Sequence, residues 1–399
     1  MNWINASKEW IFRGISIIIS LFFKSRNKNK SKYMKQKAGA NSTNVQVAGN
    51  IAGNIMVGVS EERVRDIFDE KIQHEFESRS TKAQSVAKEK SSKLQYVIIQ
   101  RMSEKNLMHA FSDPDFQFLL KDAQKSAATT DRELDFSLLC ELLEDRFEKR
   151  KDRSAKIGIA QAVRIVPEIP DDALLGLTVL QAVSHLIPTN GGIKEGIIAL
   201  DNLFSKIIYD KLPTDDRWLD DLSVLGTVRF TSFAGIKKIE QFCTEQLCGY
   251  TCEGISENSN DRKEVLEILS DSEINKDELL VKHELHSDYL RLSIVNKVMI
   301  NNLTIKDTQK QAISDIAKKY CKIDVPHQET INCFMRLWDK KPTLKKLKDW
   351  WNSLDKLIEI TPVGQALADA NVRRCVSKNI LSDFIFSNTS PLYGGVRWG

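Results

Sequence analysis

Hydrophobic positions recur at helical spacing along most of this chain, and the pattern predicts a body built from helices. Val64, Ile67, Phe68 and Ile72 mark a first helix, with Ser60 as its N-cap and Glu61 and Glu62 in the first turn, where the dipole favours acids. A long polar stretch then leads to Leu94, Val97, Ile98, Met102 and Leu107. Asp113-Pro114-Asp115 starts another helix, Asp113 capping it and Pro114 occupying the first position, where a missing N–H costs nothing. Phe136, Leu139, Leu143 and Phe147 form an apolar stripe on a helix whose other faces carry Glu141, Glu144, Asp145 and Arg146. Pro170 opens a segment, Asp171 to Ile187, that is apolar nearly all round and predicts a central buried helix, ended by Pro188-Thr189-Asn190-Gly191-Gly192. Further helices are expected over 194–209, 234–247, 261–270, 275–301, 307–321, 328–339, 343–358 and 362–377. No stretch alternates strand and helix as a doubly wound sheet does, so the predicted fold class is all-α.

Two N-terminal segments break that pattern. The first is an apolar run from Trp10 to Phe23, followed at once by Lys24, Arg26, Lys28, Lys30, Lys32, Lys35 and Lys37 with no acid among them. On a helix, Glu9, Arg13, Ser16, Ser20 and Lys24 fall within an arc of roughly 80°, and everything else is apolar or Gly. The wide apolar face suits lipid, while the narrow polar stripe needs a partner. Trp10 to Phe23 spans about 21 Å, short of a bilayer core of about 30 Å, whereas counting from Trp3 reaches that thickness. Three readings follow: an interfacial anchor, a short pore-forming span with Glu9, Arg13, Ser16 and Ser20 lining the pore, and a helix docked on the protein's own body. The basic block after the run, with no small-residue cleavage site, argues against a signal peptide and reads as a membrane-surface, cytoplasmic juxtamembrane segment. The body is therefore expected in the cytoplasm. The second segment, residues 38–60, is rich in Gly and Asn with short β-like alternation; it is a linker or an oligomerisation segment whose strands need partners from other subunits.

Charge follows the same division. The chain has 58 Lys+Arg and 54 Asp+Glu, but residues 1–37 hold nine of the bases and one of the acids, which leaves the remainder at −4. A body of that charge is not a general nucleic-acid binder, although a local patch is compatible with it. The seven scattered cysteines read as free thiols. At 399 residues the chain has room for several domains: 1–37, 38–60, 61–255 and 256–399, with weak boundaries near Glu253–Asp261 and at Lys340-Lys341-Pro342. Beyond the N-terminus no apolar run is long and charge-free enough to span a bilayer.

Candidate chemistry is sparse. Gly191-Gly192-Ile193-Lys194-Glu195-Gly196 lacks the spacing of a phosphate loop and reads as a turn and helix start. In His283-Glu284-Leu285-His286 the histidines sit three apart, where a zinc helix has them four apart, so a solvated helix face is expected. His185 reads as a hydrogen-bonded core histidine, and Cys243, Cys248 and Cys252 lack both a C-x-x-C pair and a nearby histidine. No nucleophile motif appears, so neither an enzyme, a metal nor a cofactor is expected. One cluster does suggest a ligand: Lys345, Lys346, Lys348 and Trp350, with Trp338, Lys340, Lys341 and Trp351 beside them. Lysines on phosphates and an indole stacked on a base are the means of binding single-stranded nucleic acid. Against that, Leu344, Leu347, Trp351, Leu354 and Ile358 keep helical spacing, which would make Trp351 core and the lysines a solvated face.

The chain resembles a family of helical bacterial proteins. The likeness rests on Gly39-Ala40-Asn41-Ser42-Thr43-Asn44-Val45-Gln46, on Ser112-Asp113-Pro114-Asp115-Phe116-Gln117 with Asp122-Ala123-Gln124, on Leu138 to Arg146, and on Thr361-Pro362-Val363-Gly364-Gln365-Ala366-Leu367-Ala368 with Ala370-Asn371. These are structural signatures without catalytic content. Members with an N-terminal membrane helix resemble the membrane effector of the two-gene Hailong anti-phage system. That resemblance implies a homotetrameric pore in the bacterial inner membrane, restrained by a short single-stranded DNA oligomer from a partner nucleotidyltransferase. The expected function is a non-enzymatic membrane effector of abortive infection. The alternative is a peripheral membrane-anchored sensor or scaffold, and a third class is a cytoplasmic enzyme with an unrecognised site.

Overall fold

The computed structural model describes residues 61–149, 151–231 and 235–386, and those from Asp69 onward form one compact unit. The chain is mostly helical, with 17 helices among the described residues. The first, α1 (Glu61–Glu104), is 44 residues long. Leu94, Ile98 and Met102 near its C-terminal end are fully buried and dock it on the body, whereas residues 66–79 are exposed without a break. A 3-10 turn (Met108–Ser112) leads to α2 (Pro114–Thr129), where Asp113 accepts the Asp115 amide at 2.9 Å and Pro114 takes the first position. Then follow α3 (Glu133–Glu148), α4 (Arg153–Ile165) and α5 (Asp171–His185). As its uniformly apolar sequence demands, α5 is buried on nearly every side.

After α5 come β1 (Leu186–Pro188), α6 (Ile193–Ile207), α7 (Arg217–Val224), β2 (Val228–Thr231), α8 (Ile239–Gln246) and α9 (Cys248–Thr251). A smaller section holds β3 (Ile255–Ser256), α10 (Asn260–Asp271), α11 (Lys276–Leu279), β4 (Leu280–Lys282), β5 (Tyr289–Leu292), α12 (Lys297–Asn302) and α13 (Asp307–Lys319). The last described elements are α14 (Gln328–Asp339), α15 (Pro342–Ser353), β6 (Leu357–Ile360), α16 (Pro362–Cys375), α17 (Lys378–Leu381) and β7 (Phe384–Phe386).

Two hydrophobic clusters organise these elements. The larger joins α2–α8 to α14–α16, and the smaller gathers Val265, Leu269, Leu292, Ile313, Ile316 and Cys321 from residues 248–323. The core therefore does not divide at 255/256: the chain leaves the main core, builds a small second one, and returns. Its return is the architectural centre, because α16 packs across α3, α4 and α5. Thr361 caps α16 by accepting the Gly364 amide, with Pro362 at the first position. Two glycines permit this closeness. A Cβ on Gly158 of α4 would stand 2.5 Å from the Pro362 carbonyl oxygen, and one on Gly364 would stand 2.1 Å from the Thr227 oxygen.

Seven short strands among the described residues qualify the all-α expectation. β1 pairs antiparallel with β7 (Leu186↔Phe386), β2 with β6 (Val228↔Ile360), and β5 lies between β3 and β4. They account for the helix ends that differ from expectation. The α5 helix stops at His185 rather than Ile187 because β1 begins there, and the helix expected over 343–358 yields to β6. The helix expected over 275–301 is instead α11, the β4/β5 hairpin and α12. Asp288 in the hairpin turn has φ 63°, a left-handed backbone that ends a helix.

Candidate functional site

Two of the signature segments, Leu138 to Arg146 and Thr361 to Asn371, meet around one buried polar network, while residues 39–46 and the rest of the 38–60 segment lie outside the described residues. On α3, Glu141, Glu144 and Asp145 are all buried, so the charged faces of that helix are covered as fully as its apolar stripe. Their cations come from other elements. Arg101 and Lys105 at the end of α1 pair with Glu144, Arg101 also with Glu141, and Arg373 of α16 reaches Glu141 at 3.4 Å and Asp145. Lys149 lies between Asp145 and Asp369, at 3.7 and 3.6 Å. Gln181 of α5 donates to Asp369 at 2.9 Å, and Asn371 donates to Thr178 at 2.8 Å. Burial pushes the Asp145 carboxyl up to about 6 against the pull of Arg373 and Lys149, with Asp369 and Glu148 adding to the rise. At the surface, Asp115 pairs with Lys156 and Arg146, and Asp122 with Arg164. The work of these signatures is to lock α1, α2, α3, α4 and α16 together.

Beside the start of α16 an open groove of about 500 Å³ is lined by Ser154, Gly158, Gly226, Arg229, Thr361 and Pro362. It offers hydroxyls and one exposed guanidinium, with no acid–base pair and no thiol among its lining residues.

A second junction forms around Gly191-Gly192, which does make a turn and helix start: Gly192 caps α6. The free amides of Ile193 and Lys194 donate to the Glu284 carboxylate at 2.7 and 3.2 Å. Glu284 comes from the His283-Glu284-Leu285-His286 segment, which is the β4/β5 turn and not a solvated helix face. Arg291, fully buried, donates to the Gly191 oxygen at 2.6 Å and meets Glu284 at 3.4 Å. The Tyr250 hydroxyl donates to the Asn190 oxygen. His283 is buried, and both ring nitrogens are engaged: Nε2 lies 3.0 Å from the Cys252 oxygen, and Nδ1 accepts the Leu285 amide at 3.2 Å. That pattern assigns the neutral Nε2–H form. Burial, aided by Arg291 and His286, holds its pKa down at about 4. His286 instead stacks on Tyr289, with ring centroids 3.6 Å apart.

The basic and indole cluster separates into core and surface. Trp350 is 6% exposed; its Nε1 donates to the Pro213 oxygen at 2.7 Å and its ring lies 5.9 Å from that of Trp218. Its indole is thereby committed to the core, which corrects the stacking role expected of it. Trp338 and Trp351 are buried as well, and Lys348 pairs with Asp339. Lys345 and Lys346 are exposed. His185 is half-buried at the end of α5, and burial lowers its pKa. Burial raises the thiols of Cys243, Cys248 and Cys252, and pushes Cys140 and Cys321 up to about 12, which keeps them protonated. Among the described residues no group of three or more His, Cys, Asp or Glu side chains is placed to hold a metal. Glu9, Arg13, Ser16, Ser20 and the basic block Lys24 to Lys37 lie outside the described residues. Among the described residues no helix is long and apolar enough to cross a membrane.

A family model matches residues 58–385. The chain belongs to that family. The match takes in α1 and nearly all of β7, and with them the network of α3 and α16, the groove and the Glu284 junction. Family membership therefore extends over the helical body and stops short of the apolar run and the basic block. No curated protein and no solved structure matches the chain.

Proposed function

We propose that the protein is a non-enzymatic membrane effector of bacterial anti-phage defence, an oligomer whose N-terminal helices open a pore in the inner membrane. The observation that carries this reading is the sequence of residues 3–37: a wide apolar face, a narrow polar stripe and a basic block in direct succession. The resemblance to the Hailong effector supplies the defence setting, the tetramer and the restraint by a short DNA oligomer. Two features of the body agree with an effector. Its buried charges are neutralised by one another, and its buried thiols are held protonated. Lys345 and Lys346 supply exposed positive charge for an oligonucleotide backbone, without help from Trp350.

Deleting residues 1–37 should abolish membrane association and depolarisation and leave a folded soluble body; a truncated chain that still depolarises cells would overturn the reading. A peripheral anchor is favoured by one observation, the run of about 21 Å from Trp10 to Phe23. Replacing Ser16 and Ser20 by Leu separates the two, since an anchor keeps its affinity while a pore loses its polar lining. Conductance equal to the parent's would decide for the anchor.

A further inference from the structure

The Gly191-Gly192 turn leads into the 15-residue helix α6, and the Glu284 carboxylate sits on the start of that helix: the Ile193 and Lys194 amides donate to its two oxygens at 2.7 and 3.2 Å. The first amides of a helix and its dipole together favour an anion at that place. A second group is directed at the same place. Arg291 is fully buried, its Nη2 donates to the Gly191 oxygen at 2.6 Å, and it meets Glu284 at 3.4 Å. Its Nε is also buried and has no hydrogen-bond partner among the described residues.

Glu284 serves this place incompletely. A guanidinium–carboxylate bond closes to about 2.7–2.9 Å, so a contact of 3.4 Å leaves Arg291 short of a full partner while the carboxylate is held by the amides. The oxygens of a carboxylate lie in one plane, whereas those of a phosphate are tetrahedral and can meet the amides and the guanidinium together. Glu284 belongs to the β4/β5 turn and its side chain is 24% exposed, so the place opens to solvent on that side. Lys194 is exposed, has no acid paired with it among the described residues, and adds a second cation. Glu195, beside Gly192, opposes these two with a single charge.

We propose that the Gly191-Gly192 turn, the start of α6 and Arg291 form a binding site for a phosphate group, and that Glu284 is its built-in competitor, displaced with the β4/β5 turn when phosphate binds. Neither the membrane segment nor an oligomer is required for it. Inorganic phosphate, titrated into the full-length chain in detergent with chloride holding the ionic strength constant, tests this. Glu284→Ala should bind phosphate at least about tenfold more tightly than the parent, because an internal competitor lowers the apparent affinity by the fraction of chains whose site is open. In the parent, saturating phosphate should raise amide hydrogen exchange over residues 283–289 at least about threefold as the turn comes away, and in Glu284→Ala it should leave that exchange unchanged. Glu284→Gln, which loses the charge and keeps the shape, should also bind more tightly than the parent and serves if the Ala variant does not fold. Methyl phosphate bound as well as phosphate would assign the site to a phosphate monoester, and exclusion of the ester would assign it to the free ion. No binding to either, equal affinity of parent and variants, or parent turn exchange that does not respond at saturation would overturn the proposal.

Discussion

At His283 burial works directly against ionisation of the ring. Its folded pKa of about 4 lies below the usual 6.5, so folding favours the neutral ring. The stability this contributes is fully present above pH 6.5 and is lost as pH falls through 6.5 towards 4. The shift corresponds to about 3 kcal/mol at the acid end. Asp145 acts in the opposite sense: its folded carboxyl, raised to about 6, gains a proton before the unfolded one does, so its contribution rises as pH falls from 6 towards 4. His283→Gln removes the first effect and leaves the second. Denaturant melts of parent and variant at pH 7.5 and 4.5 should show the parent losing up to about 3 kcal/mol more between the two, and parallel losses would show that the ring does not titrate as its surroundings require.

At the scale of elements, the long periodic helices were legible because each carries its own signal. Asp113-Pro114 and Thr361-Pro362 start α2 and α16, and Gln328–Asp339 is a helix over the residues its spacing predicts. The β4/β5 hairpin was not legible. Its strands are three and four residues long, and its turn is held by a left-handed Asp288, by the His283 ring and by Glu284 reaching another helix. The partner of Glu284 lies 91 residues away, and no local pattern reports it. The same holds for Trp350, whose lysine neighbours suggested a surface while Pro213 and Trp218 fix it inside. Glu284 is the test of this junction. Glu284→Ala uncaps α6 and leaves the fully buried Arg291 without the carboxylate it meets, which should cost about 3 kcal/mol. Glu284→Gln, which keeps one oxygen to accept an amide, should cost less. An Ala variant within about 0.5 kcal/mol of the parent in chemical denaturation would show that the junction carries no load.

For the whole molecule, the determining fact is that the C-terminal helices complete the N-terminal core. Without α16, the α3 carboxylates lose Arg373 and the inner faces of α4 and α5 lose their cover. A fragment of residues 61–255 should therefore fail to unfold cooperatively and should expose apolar surface to dye, whereas residues 61–386 should show one sharp transition. A cooperative melt of the shorter fragment would make it a domain in its own right.

That closure also orders events in time. Pro362, which opens α16, follows the end of the Trp10–Phe23 run by roughly 340 residues, about 17 to 70 s of synthesis at 5–20 residues per second. Throughout that interval the core has no lid, so on the pore reading proposed above insertion machinery would meet the first segment before the body closes. The lid over the α3, α4 and α5 core is thus among the last parts of the described body to be synthesised.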